Sequence, residues 1–219
     1  MIFGVDHLVF CGRQADLARL RPRLTAAGFV PVPGRLRFDE IGAHSESVAY
    51  GGGGFVEVVY EVERGKAPRA WFDGPVPRLI GLGVSSDEFE RDTAGWEWTM
   101  EEELMLEDGS TLRIHAAGPH EHLSELYVFA MDRPDRELDH PGLGATSQLV
   151  ALTFSGVGSD EWRQRLRRWL GSSDAIGDVQ LQFLDGEGTV FVTPTFRVAS
   201  AAGTVPLACG AIELQVASG

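Results

Sequence analysis

Two stretches of the chain each set one metal-competent side chain inside an otherwise apolar run. His7 lies in Gly4-Val5-Asp6-His7-Leu8-Val9-Phe10, and Glu57 in Gly53-Gly54-Phe55-Val56-Glu57-Val58-Val59-Tyr60. Both runs read as strands. Alternate residues of a strand share a face, so His7 lies with Val5 and Val9, and Glu57 with Phe55 and Val59. A carboxylate taken out of water in such a stripe demands a cation, a hydrogen-bond partner or a proton. A divalent ion meets that demand, and imidazole, carboxylate and amide oxygen all suit zinc, nickel, manganese or iron. Toward the other end, Ala145-Thr146-Ser147-Gln148-Leu149-Val150-Ala151-Leu152 and Gly210-Ala211-Ile212-Glu213-Leu214-Gln215-Val216 repeat the arrangement with Gln148 and Glu213. His7, Glu57, Gln148 and Glu213 therefore form the candidate metal set. Each also has a plainer use. An isolated strand histidine is commonly a hydrogen-bonded structural residue, an amide is a poor ligand by itself, and Glu213 shares its face with Ala211, Gln215 and Ala217, a stripe that solvent also suits.

The elements that must position these residues follow from the periodicities. In the first unit, residues 1–63, a strand over 3–10 precedes a helix over 15–27, in which Leu17, Leu20, Leu24 and Ala27 recur at spacings of three and four. Gly28 ends that helix, and short strands follow around Phe29, Ser47 and Phe55, punctuated by Pro33-Gly34 and by the glycines 51–54. A linker over 64–77 leads to a middle unit, residues 79–131, in the same order of strand, helix and strands. It has Leu82 and Val128 near the positions of His7 and Glu57, so it reads as structural or substrate-facing. A second linker precedes a third unit, residues 145–219, whose helix carries Trp162, Leu166, Trp169 and Leu170 on one face and stops at Gly171. Repetition on this scale predicts duplicated modules around a shared cleft.

Composition narrows the partners. The chain has 219 residues, 43% of them hydrophobic, enough for a full core. A net charge of -13 and a pI near 4.8 repel phosphate backbones and anionic lipid, so nucleic acid and membrane surfaces are excluded as expected partners and a small-molecule substrate is favoured. No apolar run approaches the roughly 20 residues of a membrane helix, and the first residues do not read as a leader, which makes the cytoplasm the expected location. Cys11 and Cys209 are expected to be free thiols.

Val5-Asp6-His7-Leu8-Val9, the helix end Leu24-Thr25-Ala26-Ala27-Gly28-Phe29 and Gly54-Phe55-Val56-Glu57-Val58-Val59 together resemble the vicinal oxygen chelate superfamily, in its glyoxalase-like branch. The resemblance covers about the first sixty residues well, the middle weakly and the last unit moderately. It implies an α+β fold in which repeated βαβββ modules form a curved, half-open barrel around a central cleft. It also implies a divalent metal at the centre, with His7, Glu57, Gln148 and Glu213 at the family's ligand positions, and a homodimer. Two carboxylates, one imidazole and one amide are similar to the set of glyoxalase I and of related epimerases, while extradiol dioxygenases need a second histidine where Gln148 stands.

The activity so implied is that of a metal-dependent lyase or isomerase. The ion, chelated by two vicinal substrate oxygens, acidifies a C–H, and a carboxylate removes the proton to leave an enediolate. Glu213 is the preferred base and Glu57 the more fixed catalytic carboxylate. Arg35, Arg37 and His44 are the candidate substrate-binding residues. The alternative is a non-catalytic protein of the same fold that sequesters aromatic antibiotics. The family plan has two modules and this chain reads as three, so a pairing question stays open. If the first unit pairs with the middle one, Gln148 and Glu213 do not reach His7.

Overall fold

The apolar stripe Leu17, Leu20 and Leu24 is buried on one side of α1 (Gln14–Ala26), which runs from β1 (Phe3–Gly12) back over the sheet. Its start is tied by the Asp16 side chain, which accepts from the Arg13 backbone N–H at 3.2 Å. It ends where Gly28 takes a positive φ of 93°. The computed structural model describes residues 3–67, 78–106, 108–119, 126–132, 144–172, 174–188, 191–199, 203–207 and 210–216. Cys209 lies outside them, and Cys11 is buried and in no disulfide among the described residues. No helix among the described residues is long and apolar enough to cross a membrane.

The first unit continues through β2 (Val30–Pro31), β3 (Leu36–Phe38), β4 (Ala43–Tyr50) and β5 (Gly54–Glu61). The second consists of β6 (Arg78–Ser86), α2 (Phe89–Asp92), β7 (Trp98–Leu106), β8 (Thr111–Gly118) and β9 (Tyr127–Asp132). These two units pair with each other. β1 runs antiparallel to β6 and parallel to β5, β6 runs parallel to β9, and β3 meets β7 at a second seam. Because β4 also pairs with β5, eight strands close in the ring β4-β3-β7-β8-β9-β6-β1-β5. The α+β class and the repeated βαβββ modules are as expected, and the expected half-open curve is completed into a closed barrel.

The third unit builds its own sheet from β10 (Gln148–Ser155), β11 (Ala175–Ile176), β12 (Val179–Leu184), β13 (Phe191–Val198), β14 (Gly203–Leu207) and β15 (Gly210–Val216), with α3 (Ser159–Leu170) between β10 and β11. Its order, β11-β12-β10-β13-β15-β14, repeats the barrel's order β4-β5-β1-β6-β9-β8 with every parallel and antiparallel pairing preserved. The counterparts of β3 and β7 are not among its described strands, so this sheet is open where the first is closed.

Alternation sorts the side chains into two apolar layers. Val9, Cys11, Val59, Ile114, Phe129 and Met131 line the barrel interior. Leu8, Phe10, Val56, Val58, Leu82 and Val128 point outward into a larger core shared with α1, α3 and the inner face of the second sheet. At that junction the Gly51 backbone N–H donates to the Ser147 carbonyl at 2.6 Å, and the Thr146 N–H to the Gly28 carbonyl at 2.9 Å.

The turn at α2 gives a pH-dependent contribution. The Ser86 hydroxyl donates to the buried Asp92 carboxylate at 2.5 Å and Arg91 lies 2.9 Å from it; the Ser86 bond first, then Arg91, hold the Asp92 carboxyl below its usual 3.8 against the opposing effect of burial. A lowered folded-state value means stabilisation that is present above the unfolded value and lost as the pH falls through the folded one. Asp92→Asn is therefore expected to cost about 1–3 kcal/mol at neutral pH. In urea unfolding, the gap to wild type should narrow steadily once the pH drops below about 4.

Candidate functional site

A β-bulge sets the geometry of the candidate site. Along β1, Val5 pairs with Val84 and His7 with Gly83, so Asp6 is the extra residue of an irregular step. Val5 belongs to the outer layer, and the bulge turns both Asp6 and His7 toward the interior, where a regular strand would send neighbours to opposite faces. Asp6 is 1% exposed and His7 4%. Asp6 Oδ2 lies 2.7 Å from His7 Nδ1. An ionised carboxylate only accepts, so this contact assigns a proton to Nδ1 and turns Nε2 toward Glu57, whose Oε2 is 3.8 Å away.

Glu57 arrives from β5, one strand over, with Ser47 of β4 opposite it. It is 6% exposed, and its Oε1 is buried without a hydrogen-bond partner. Such an atom costs free energy, and a ligand or water that supplies a donor satisfies it.

Aromatic rings wall the pair in. The His7 ring stacks on Phe55 at 4.4 Å and 7°, and meets the edge of Phe129 at 5.1 Å. Phe129 in turn stacks with Tyr127 at 5.1 Å. Room for these rings comes from β6. A Cβ on Gly83 would stand 2.6 Å from the His7 ring, and one on Gly81 would stand 2.9 Å from the Tyr127 ring. Burial first, then the charge of Glu57 and the neighbouring Cys11, push the Tyr127 hydroxyl above its ordinary range, so it stays protonated and can donate. Asp6, Tyr127 and Phe129 are the residues that sequence reasoning missed. The available signal for the last two was the stripe Tyr127, Phe129 and Met131, which alternation places on one face.

Gln148 and Glu213 are not brought to this pair. Both lie on the outward face of the second sheet, with Thr195 and Arg197, whereas the opposite face carries Leu149, Phe196 and Leu214 into the core against the barrel wall. An apolar layer separates them from the barrel interior. Gln148 instead lines an open cavity of about 460 Å³ with Gln180, Gln182, Gln215, Asp178 and Arg197. Arg35, Arg37 and His44 also face away from His7. Arg35 and Arg21 pair with Glu46 at 2.7 and 3.0 Å, Arg37 pairs with Asp39 at 3.0 Å, and His44 is edge-on to Tyr60 at 6.2 Å. Their register with Tyr60 and Val58 fixes them on the barrel's outside, where local carboxylates take up the arginines.

Of the four expected ligands, the structure brings His7 and Glu57 together. Within the barrel, the second unit's counterparts are read from the matching parallel seams. Val9 faces Glu57 across β1 and β5, and Gly83 faces Phe129 across β6 and β9. Gly81 and Phe129 therefore stand where His7 and Glu57 stand in the first unit, and neither side chain donates to a metal. Among the described residues no group of three or more His, Cys, Asp or Glu is arranged to hold an ion. The donors among the described residues do not make up a four-ligand chelate for zinc, nickel, manganese or iron. They do fit proton transfer: a carboxylate with one free oxygen, an imidazole fixed by a second carboxylate, and a neutral phenol. Asp6→Asn should reduce any proton transfer at the site about 100-fold. It should also shift the His7 ring nitrogen resonances, since the Nδ1 proton loses its acceptor.

The sequence matches no family model and no curated protein. Solved structures do match. A hypothetical protein from Staphylococcus aureus superposes with a TM-score of 0.72 at 9% identity, over 99% of this chain and 100% of that one. A xylose isomerase-like TIM barrel/4-hydroxyphenylpyruvate dioxygenase fusion protein gives 0.54 at 15% identity, over 89% of this chain and 36% of that one. A mutant of 4-hydroxymandelate synthase from Streptomyces coelicolor gives 0.51 at 11% identity, over 89% and 71%. The fold of this chain is the vicinal oxygen chelate fold.

Proposed function

We propose that this protein is a lyase or isomerase of the vicinal oxygen chelate fold that removes a proton from the carbon beside an oxygen-bearing group of a small, flat substrate held in the barrel. Glu57 is the base. Its unpartnered Oε1, buried beside an imidazole that Asp6 orients, is the single observation that carries the reading. The His7 ring stands beside the carboxylate, with its Nε2 3.8 Å from Oε2, and Tyr127, kept protonated, donates to the oxygen on which charge develops as the proton leaves. The enediolate chemistry expected for the fold is retained as proton removal at Glu57, and Glu213 has no part in it.

The test is solvent-deuterium incorporation into simple aryl ketones, acetophenone and propiophenone, followed by NMR. Exchange above the buffer rate that is lost in Glu57→Gln supports the reading, and exchange indifferent to Glu57 removes it. Binding without exchange gives the second reading, capture of flat aromatic molecules, which the rings of Phe55, Tyr127 and Phe129 favour. Thermal shift separates the two, because a ligand that binds only the folded chain raises the midpoint whether or not it reacts.

A further inference from the structure

Two further polar atoms inside the barrel have no partner, and both lie at one level. The Ser45 hydroxyl and the Arg78 Nε are buried and unbonded, like Glu57 Oε1. Ser45 pairs with Val59, Val59 with Cys11, and Cys11 with Arg78, so the four form one row across β4, β5, β1 and β6. Val59 and Cys11 belong to the interior layer, which puts Ser45 and Arg78 on the same inward face. Glu57 and Val9 form the next row, two residues along the strands, a separation of about 7 Å. Ser45 is 1% exposed, and Arg78 makes no ion pair among the described residues.

A guanidinium is always charged, and a buried nitrogen of it without an acceptor is as costly as an unpaired carboxylate oxygen. The two stand three strands apart on this row, the hydroxyl with an O–H to donate and the planar guanidinium with a fork of N–H donors that matches a carboxylate. From this row of unpaired donors beside the unpaired Glu57 oxygen we infer that the substrate is a small carboxylic acid. Its carboxylate is held by Arg78 and Ser45, and the carbon that gives up a proton to Glu57 lies a few bonds further along. The inference rests on the proposed role of Glu57 and adds the chemical class of the substrate. Glu57 repels the same carboxylate, so the acid binds in one direction, with its charged end at the Arg78 row and its apolar end against the aromatic rings.

Benzoylpropionate, an aryl ketone with a carboxylate two bonds from its exchangeable carbon, is the probe, and its amide is the neutral control. By isothermal titration the acid should bind wild type at least about tenfold more tightly than the amide. Arg78→Gln should erase that preference, Arg78→Lys should keep part of it, and Ser45→Ala should reduce it a few-fold. Glu57→Gln should bind the acid as well as or better than wild type while exchanging none of its deuterium. Equal binding of acid and amide, or a preference that survives Arg78→Gln, overturns the carboxylate assignment even if exchange at Glu57 is intact. An Arg78-dependent preference without any exchange upholds it and sinks the catalytic reading instead. Arg78→Lys, which keeps the charge, shows whether a loss in Arg78→Gln comes from the ligand or from the fold.

Discussion

Glu57→Gln is expected to lower proton exchange by at least about 100-fold while leaving the fold as stable as wild type or slightly more so. The two effects have one cause. Glu57 is 6% exposed, and one of its oxygens has no donor, so the folded chain carries an uncompensated polar atom whose cost is about 1–3 kcal/mol. An isosteric amide removes the charge and keeps the shape. Its NH2 can donate to His7 Nε2, which faces the carboxylate in the wild type. A residue held for stability would behave in the opposite way, because its neutral isostere would lose a paired interaction and lower the unfolding midpoint. Urea unfolding and deuterium exchange on the same preparation thus separate a base from a structural carboxylate. A Glu57→Gln protein that is clearly less stable than wild type would show that Oε1 has a partner in solution and would take away the basis of the site. Glu57→Asp gives an intermediate case, with the charge kept and the oxygen withdrawn by one methylene from the position where it acts.

The elements themselves were legible where periodicity is local. Leu17, Leu20 and Leu24 mark α1, and Leu166 and Leu170 with the half-buried Trp162 and Trp169 mark α3, because each stripe repeats within one element. β14 is not legible in this way, since Pro206 lowers any strand reading, and it is an edge strand of the second sheet, where proline is tolerated. Which units pair was not legible. That choice is made between β1 and β6, far apart in sequence, and depends on Gly81 and Gly83 leaving room for the rings of Tyr127 and His7. In the sequence those glycines only weaken an apolar run. The site was half legible for the same reason. His7 and Glu57 stand out as polar groups in apolar strands, but Asp6 is read as facing away unless the bulge is known. The second unit's counterparts were read as Leu82 and Val128, one residue from the inward-facing Gly81 and Phe129, because period-two alternation carries no origin of its own. Gln148 and Glu213 do occupy first and last strands of a repeated order. The repeat is of the whole barrel in truncated form, and its corresponding face is turned outward.

That outward-facing repeat makes the junction between the two sheets a stability determinant, and Phe196→Ala should reveal it. Phe196 comes from β13, is fully buried, and meets Phe29 at 4.8 Å and Tyr50 at 5.1 Å, both rings edge-on at 65°. Phe29 follows α1 and Tyr50 ends β4, so one side chain of the second sheet fills the angle between two elements of the barrel. Truncation to alanine is expected to cost about 3–5 kcal/mol, the usual range for a buried phenylalanine. For a chain of this length that corresponds to a fall of roughly 10 °C in unfolding midpoint. Phe154→Ala is the comparison, because Phe154 is as deeply buried but meets Trp162 and Phe183, both within the third unit. If the two units fold as one, each variant lowers a single shared transition. If they are only docked, Phe154→Ala melts the third unit early and leaves the barrel's transition in place, while Phe196→Ala splits the transition in two. A loss below about 1 kcal/mol in Phe196→Ala would mean that the ring trio does not hold the sheets together. The rest of the shared apolar core, with the polar seam of Gly28, Gly51, Thr146 and Ser147, would then have to do so.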